Sequence, residues 1–267
     1  MAGGDQLQIR NDQLVSLLGA DFQLRYEPNF AWKSACGQYQ ALCALRGFWP
    51  MGPQIHEAET DYIVDVACNF HLTNYSASLH NYDRLIPYVA FDGTADYAFY
   101  ADNAQFDILG TEPTVHADVH GLTLGGWFYP QETATAEGLI GKYIADGSNG
   151  YLLELQADDT VRMIVDNGAL VASGSLDITI GDWNFVAGTF LPSADLYTFV
   201  NETKSANGAG IPAAIGNNAA HFEISGYNSG ATALFEGYAS LCFVCAARLS
   251  DIQIWSLYQQ TRAMFGK

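Results

Sequence analysis

Paired carboxylates are the first feature to seek in this chain, because hydrolysis of a glycosidic bond uses two of them as acid and as nucleophile or base. In a retaining mechanism they lie ~5 Å apart, which acidic residues close together on one strand can achieve. The nearest approximations are Glu57 with Glu59 and Asp158 with Asp159, and both pairs fall in predicted loops. The sequence therefore predicts no catalytic residue and a protein that is not an enzyme.

Histidine and cysteine spacing gives no clear metal site. His116 and His120 are four residues apart, the zinc-binding spacing of a helix, but they directly precede a predicted strand. Cys242 and Cys245 form a C-x-x-C pair, yet a strand sends their side chains to opposite faces. We interpret both cysteines as small core residues. The chain also lacks a G-x-S-x-G motif, a phosphate loop and a dinucleotide fingerprint.

The charge of the chain narrows the classes of partner. With 29 acidic and 11 basic residues, the formal net charge is −18. Phosphate backbones would be repelled, so we expect no nucleic-acid partner. The acidity favours solubility, and clustered carboxylates could alternatively bind Ca²⁺. No apolar run approaches the ~18 residues of a transmembrane helix, so no membrane contact is expected.

The N-terminal sequence lacks the basic and apolar regions of a signal peptide. The five cysteines are an odd number, which argues against a secretory disulfide framework. We therefore expect a cytosolic protein, one exported without a leader, or one released by lysis as part of a virus particle.

A long strand is predicted near the C-terminus, within Leu234–Ser250. Alternation would place Ala239 on the same face as Leu241. Neither face is charged between residues 238 and 247, so we expect both faces to be covered. Residues 251–263 then have helical spacing, with a serine at the position that caps a helix.

Several short motifs along the chain have the spacing of strands separated by turns. They are Arg46–Met51 (RGFWPM), Val89–Thr94 (VAFDGT) with Asp96–Phe99 (DYAF), Leu122–Pro130 (LTLGGWFYP), Ile140–Tyr143 (IGKY), Gly181–Phe190 (GDWNFVAGTF), Leu196–Asn201 (LYTFVN) and Phe235–Ile252. In this order they resemble the laminin G-like domains, over about residues 45–262. The resemblance implies an all-β fold, a two-sheet antiparallel jelly-roll sandwich of the concanavalin A-like type, with an N-terminal extension and a short C-terminal helix. It also places Trp49, Trp127, Trp183 and Phe243 inside the sandwich.

The first part of the chain does not share this pattern. We therefore predict two regions, an N-terminal arm at residues 1–44 and a laminin G-like domain at residues 45–267. The arm is rich in aromatic residues but too short to hold a core alone. It either packs on its own sandwich or docks on another subunit, and the low charge of the chain favours a neighbour.

The resemblance implies two kinds of ligand. Laminin G-like domains often hold Ca²⁺ as a cofactor, and Asp92 and Asp96 match the positions of its carboxylates. Asp92 is also placed to cap its own turn. Sugars usually stack on exposed aromatic rings, although a tyrosine in a strand is often half-buried packing. The candidate sugar-binding residues are Tyr143, Tyr151, Tyr197 and Tyr227.

A domain of this kind with no leader, few charges and an aromatic arm resembles virion proteins of tailed phages. We therefore expect a non-enzymatic structural or adhesive virion protein, such as a capsid decoration, tail or fibre component. Its location would be the virion, after assembly in the host cytoplasm. The expected partners are other virion proteins or copies of itself, bound through the N-terminal arm, and a cell-surface glycan. The alternative is a carbohydrate-binding, lectin-like module.

Overall fold

The computed structural model describes residues 45–51, 62–65, 67–75, 79–83, 86–112, 120–132, 135–145, 149–230 and 232–267. The predicted N-terminal arm, residues 1–44, lies outside this part of the chain, as do Glu57, Glu59 and His116. The described residues form two antiparallel sheets and one short C-terminal helix, which confirms the predicted fold class. None of the helices in these ranges is long and apolar enough to span a membrane.

The strands are short, as in most sandwiches, and the helix follows the last of them. In chain order they are β1 (Leu45–Trp49), β2 (Tyr62–Ile63), β3 (Leu72–Tyr75), β4 (Leu79–Asp83), β5 (Ile86–Asp92), β6 (Tyr97–Tyr100), β7 (Leu122–Pro130), β8 (Glu137–Ile144), β9 (Asn149–Leu155), β10 (Thr160–Asn167), β11 (Leu170–Ala172), β12 (Leu176–Asp177), β13 (Asn184–Leu191), β14 (Asp195–Val200), β15 (Thr203–Lys204), β16 (Phe222–Ile224) and β17 (Glu236–Cys245). Helix α1 (Asp251–Thr261) continues into a 3₁₀ turn (Arg262–Phe265).

The first sheet has the spatial order β15-β14-β13-β7-β17-β5-β4, and β1 also pairs with β17. The second sheet has the order β11-β10-β9-β8-β16-β6-β3-β2, with β12 paired to β10. Strands β8 to β12 lie in the second sheet, β13 to β15 in the first and β16 again in the second, so the chain crosses repeatedly between the sheets, as in a jelly roll.

The main core lies between the two sheets. Trp49 is fully buried there, with its ring stacked on Phe222 of the second sheet at a centroid distance of 5.2 Å. Its indole Nε1 donates a hydrogen bond to the Phe70 carbonyl oxygen at 2.9 Å. Trp49 therefore lies inside the sandwich, as predicted.

A β-bulge in β17 changes the predicted alternation. Leu241 has a φ of +48°, and the pairing of β17 with β7 shifts between Ser240 and Phe243. An extra residue in a strand reverses the direction of the side chains that follow it. Ala239 therefore faces the core between the sheets, whereas Leu241 faces the opposite side, so the prediction that they share a face was wrong.

Helix α1 covers part of the outer face of the first sheet. Ser250 caps it in a capping box with Gln253, as the sequence indicated. The buried side of the helix, which includes Ile254 and Leu257, packs with Phe243 in a second core. Cys242 and Cys245 lie on opposite sides of β17, one in each core, which confirms their interpretation as core residues.

Trp127 anchors this second core. Its ring stacks on Phe265 at a centroid distance of 4.1 Å and an interplanar angle of 10°, and its Nε1 donates to Thr261 Oγ1 at 2.9 Å. Trp127 and Phe243 are thus buried, but beneath the helix rather than between the sheets. Trp183 is only half-buried, on the outer face of the same sheet, so its predicted place inside the sandwich was wrong.

Replacement of Trp127 by alanine should lower the free energy of unfolding by about 3–5 kcal/mol, because it removes a fully buried ring and its hydrogen bond. Urea unfolding followed by circular dichroism measures this change. Trp255→Ala is the control, since Trp255 is 38% exposed on α1, and we expect a loss below about 1 kcal/mol. An equally small loss for Trp127→Ala would contradict its anchoring role.

Candidate functional site

Four aromatic side chains lie together on the outer face of the first sheet, beside α1. They are Tyr88 of β5, Tyr129 of β7, Tyr238 of β17 and Trp183, which precedes β13, and we call them the aromatic cluster. Alternation explains their position, because their strand neighbours Val89, Phe128 and Ala239 face the core between the sheets. All four rings are half-buried, so part of each remains accessible to solvent.

The rings contact one another in a closed circuit. The centroid of Tyr238 lies 4.8 Å from that of Tyr88 and 5.2 Å from that of Tyr129. Trp183 completes the circuit at 6.0 Å from Tyr88 and 5.7 Å from Tyr129, with its plane steeply inclined to both. Phe265, at the end of the 3₁₀ turn, supports Trp183 from the side at 4.9 Å. Such mutual packing fixes the rings before any ligand arrives.

Hydrogen bonds fix the segment that carries Trp183. The Gly181 N–H donates to the Pro130 carbonyl oxygen at 2.8 Å, which ties this segment to the end of β7. The Asp182 carboxylate accepts the Trp183 N–H at 2.8 Å and also pairs with the Lys267 ammonium. At the same end of β7, Gln131 Nε2 donates to the Tyr238 hydroxyl at 2.8 Å.

The chemistry of the aromatic cluster suits an amphipathic ligand. Tyrosine and tryptophan offer apolar ring surface together with a polar tip, and they carry much of the binding energy where they are held rigidly. A sugar ring matches this combination, because it presents an apolar C–H face and hydroxyl groups at its edge.

Two of the tyrosines predicted from the sequence lie together, on the outer face of the second sheet. Tyr143 contacts Tyr227 edge to face, at a centroid distance of 5.5 Å, and both pack against Leu152 and Ile164. Tyr143 is buried, and burial raises the pKa of its hydroxyl to about 12, with the neighbouring Asp166 carboxylate adding to the effect. Tyr227 is half-buried.

The other two predicted tyrosines lie elsewhere. Tyr151 is in the core between the sheets, 1% exposed, and its hydroxyl donates to the Phe106 carbonyl oxygen at 3.0 Å. A sugar cannot reach it in this structure. Tyr197 is half-buried on the first sheet, with the Lys204 ammonium 3.5 Å from its ring centroid. The four predicted tyrosines therefore do not form one site.

The predicted calcium ligands lie at the turn between β5 and β6. The Asp92 carboxylate accepts the N–H groups of Thr94, Ala95 and Asp96 and the Thr94 hydroxyl, so it caps its own turn. Desolvation alone would raise the pKa of Asp92, but these hydrogen bonds outweigh it and lower the pKa to about 2. Asp96 is buried. In the described ranges no three His, Cys, Asp or Glu side chains are grouped as metal ligands, so calcium at Asp92 and Asp96 stays a prediction.

The second sheet has a buried carboxylate on its outer face, Glu223 of β16, which is 1% exposed. Its Oε2 accepts the Gly230 N–H at 2.8 Å, and in the described part of the chain no donor reaches Oε1. Gly230 has a φ of +73°, and a Cβ there would lie 2.1 Å from the Tyr97 ring, so only glycine fits. Glu223 thus holds the loop that follows β16 against the sheet.

Burial raises the pKa of Glu223 to about 7, although the N–H groups of Gly230 and Ser229 act in the opposite direction. The folded protein then binds a proton at Glu223 more tightly than the unfolded chain does. Its contribution to the free energy of unfolding should therefore fall as the pH rises from about 4.5 to about 7, by on the order of 3 kcal/mol.

Glu223→Gln should remove this part of the pH dependence, because glutamine keeps an acceptor for the Gly230 N–H and never ionises. The measurement is urea unfolding of both proteins at about pH 5 and about pH 8, where the wild type should lose more stability between the two than the variant. Parallel losses would show that Glu223 does not titrate in this range. Burial also raises the pKa of Glu137 to about 7. The variant Glu137→Gln should therefore also reduce the change in the free energy of unfolding between about pH 5 and about pH 8.

Sequence reasoning missed the aromatic cluster, although three of its four residues stand in motifs that signal the fold. Tyr129 lies in LTLGGWFYP, Trp183 in GDWNFVAGTF and Tyr238 in the segment that begins at Phe235. A search for aromatic residues at outward positions of adjacent strands would have found Tyr129 and Tyr238. Such a search requires that the pairing of β7 with β17 is already known, and the sequence does not give this pairing.

Fold and site together define a β-sandwich with a preorganised aromatic surface on its first sheet. Residues 92–256, more than half of the chain, match the concanavalin A-like lectin/glucanases superfamily, and the chain belongs to it. A search among curated proteins found no match by sequence.

Solved structures with the same fold are distant in sequence. The Trypanosoma rangeli sialidase in complex with sialic acid is 14% identical with a TM-score of 0.58, over 92% of this chain and 40% of the sialidase. Domain 4 of AbnA, a GH43 extracellular arabinanase from Geobacillus stearothermophilus in complex with arabinotriose, is 14% identical with a TM-score of 0.56, over 81% of this chain and 99% of that domain. The binding domain of botulinum neurotoxin DC in complex with SialylT is 9% identical with a TM-score of 0.57, over 82% of this chain and 52% of that one. The chain thus spans about 40% of the length of the sialidase.

Proposed function

We propose that the protein is a lectin-like module that binds glycans through the aromatic cluster and does not hydrolyse them. The observation that carries this proposal is the closed circuit of Tyr88, Tyr129, Trp183 and Tyr238, four half-buried rings held rigidly on one sheet face. Amphipathic rings grouped in this way provide binding energy without a deep pocket.

The comparisons support the proposal at the level of the fold. The arabinanase domain carries arabinotriose, and the neurotoxin binding domain carries SialylT. The sialidase carries sialic acid, but this chain matches only 40% of the sialidase and 52% of the neurotoxin domain. The arabinanase domain, which is matched over 99% of its length, therefore gives the firmer support. Which sugars this chain binds, and where, depends on its own side chains.

Tyr238→Ala tests the proposal most directly, because Tyr238 contacts both other tyrosines of the cluster. On a glycan array, and then by titration calorimetry with the best ligand, we expect at least about a tenfold loss of affinity, equal to ~1.4 kcal/mol. Tyr75→Ala is the matched control: Tyr75 is also a strand tyrosine, 53% exposed, but it lies in β3 of the second sheet. Equal affinity for wild type and Tyr238→Ala would place the binding site elsewhere.

The absence of hydrolysis remains a proposal from the sequence, which lacks a suitably spaced carboxylate pair on a strand. The bound glycan should be recovered with its length unchanged after prolonged incubation, as mass spectrometry can determine. Shortened products above those of a heat-inactivated sample would identify an enzyme instead.

The role in a phage particle also remains a proposal, and it rests on the sequence alone. In that role the N-terminal arm, residues 1–44, attaches the sandwich to other virion proteins or to further copies of itself. Removal of residues 1–44 should then leave the melting temperature nearly unchanged and reduce the oligomer mass or the binding to particles. Unfolding of the shortened chain would assign these residues to the core of the domain.

A further inference from the structure

Carboxylates lie beside the aromatic cluster at the edge of the first sheet where β5 ends and β17 begins. Glu236 of β17 pairs with Asp92 of β5. This pair lies two residues along the strands from the pair formed by Tyr238 and Ala90. Because outward positions repeat every two residues, both carboxylates share the sheet face of the cluster. Asp92 is exposed and Glu236 is partly exposed, so both can act on a ligand there.

Glu132 is exposed and adds to this negative region, whereas Glu137 is buried on the second sheet and, with a pKa raised to about 7, is only partly ionised near neutral pH. Glu132 follows Gln131, the residue bonded to the Tyr238 hydroxyl, and Glu137 Oε2 accepts the Glu236 N–H at 3.3 Å. The pKa of Glu236 is raised by partial burial and by the neighbouring Glu132 and Asp92. The pKa of Glu137 is likewise raised, by burial and by Glu236 and Glu132. These groups therefore repel one another, and they would repel a further negative charge brought beside them.

Beside Trp183, the described residues offer no free positive charge. Lys267 is the cation beside Trp183, and its ammonium is already paired with Asp182. The other paired cations of the described residues are Lys142, Arg162, Lys204, Arg248 and Arg262, each within 4 Å of a carboxylate oxygen. Arg46 has no such partner among the described residues, but it lies in β1, beside the end of β17 that is far from Tyr238. Recognition of an acidic sugar typically uses Arg or Lys donors, which complement a carboxylate in charge and geometry.

We infer that the glycan bound at the aromatic cluster is uncharged, and that the carboxylates at Asp92, Glu132 and Glu236 disfavour sialylated and uronic acid-containing glycans. This inference rests on the proposed function and specifies its ligand class. Specificity then comes from repulsion of the wrong ligand as well as from the fit of the right one. An uncharged ligand would distinguish this chain from two of its distant structural neighbours, which were solved with sialic acid and with SialylT.

The experiment compares matched neutral and acidic ligands on the intact chain. The probes are lactose against sialyllactose, and neutral galacto-oligosaccharides against oligogalacturonates of equal length, in addition to the best neutral ligand from the array. Where the wild type binds one of these pairs, it should bind the neutral ligand at least about fivefold more tightly than the acidic one. The affinity of the wild type for the neutral ligand should change little as the salt concentration rises from about 50 to about 500 mM, because the complex contains no ion pair between protein and ligand.

Removal of the negative charges should reduce the discrimination. The double variant Glu132→Gln with Glu236→Gln should narrow the ratio of neutral to acidic affinity by about fourfold, since each unit charge about 10 Å away changes affinity about twofold in water. The matched control is Asp195→Asn with Asp251→Asn, which removes two charges near the far end of β13, and the ratio should stay unchanged.

The outcomes separate this inference from the proposed function. Equal or tighter binding of the acidic member, lost in Tyr238→Ala, would overturn the uncharged ligand class and leave glycan binding intact. A ratio that Glu132→Gln with Glu236→Gln leaves unchanged would overturn the role of these carboxylates. Failure to bind any neutral or acidic glycan would overturn the proposed function itself, and the inference with it.

Discussion

Strands β7 and β17 of the first sheet are apolar on both faces, and this constraint determines where α1 lies. Strands β7 and β17 present one set of side chains to the second sheet and another, including Trp127 and Phe243, to the outside. Water cannot cover those outer rings without a large cost in free energy, so α1 must pack over them. The stacking of Phe265 on Trp127 holds the 3₁₀ turn that follows α1 against the sheet.

The position of the helix decides which aromatic rings stay accessible. Phe265 contacts Trp127 on one side and Trp183 on the other, so the buried outer core and the aromatic cluster form one continuous set of rings. Tyr129 and Tyr238 lie just beyond the covered region of their strands. The same packing that stabilises the sheet therefore also preorganises the surface that we propose binds a glycan.

Acidic side chains have different roles on the two sheets. On the second sheet Glu223 is buried and holds the Gly230 N–H, while Glu137 accepts the N–H of Glu236, where β17 begins. Both carboxyls have a pKa raised to about 7, chiefly by burial, and they anchor the connection between β16 and β17 at its middle and at its end. On the first sheet the carboxylates of Asp92 and Glu236 face solvent beside the aromatic cluster and set its charge.

The sequence alone determined the class of the fold, because period-two alternation, turn residues and ordered motifs are local features that each strand carries by itself. It also located the cap at Ser250 and the opposite directions of Cys242 and Cys245. Only the tertiary structure decided that a bulge at Leu241 reverses one stretch of β17, since a bulge depends on pairing with β7. Only the tertiary structure, likewise, brought together Tyr88, Tyr129, Trp183 and Tyr238, because strands far apart in sequence become neighbours through long-range pairing that no local pattern encodes.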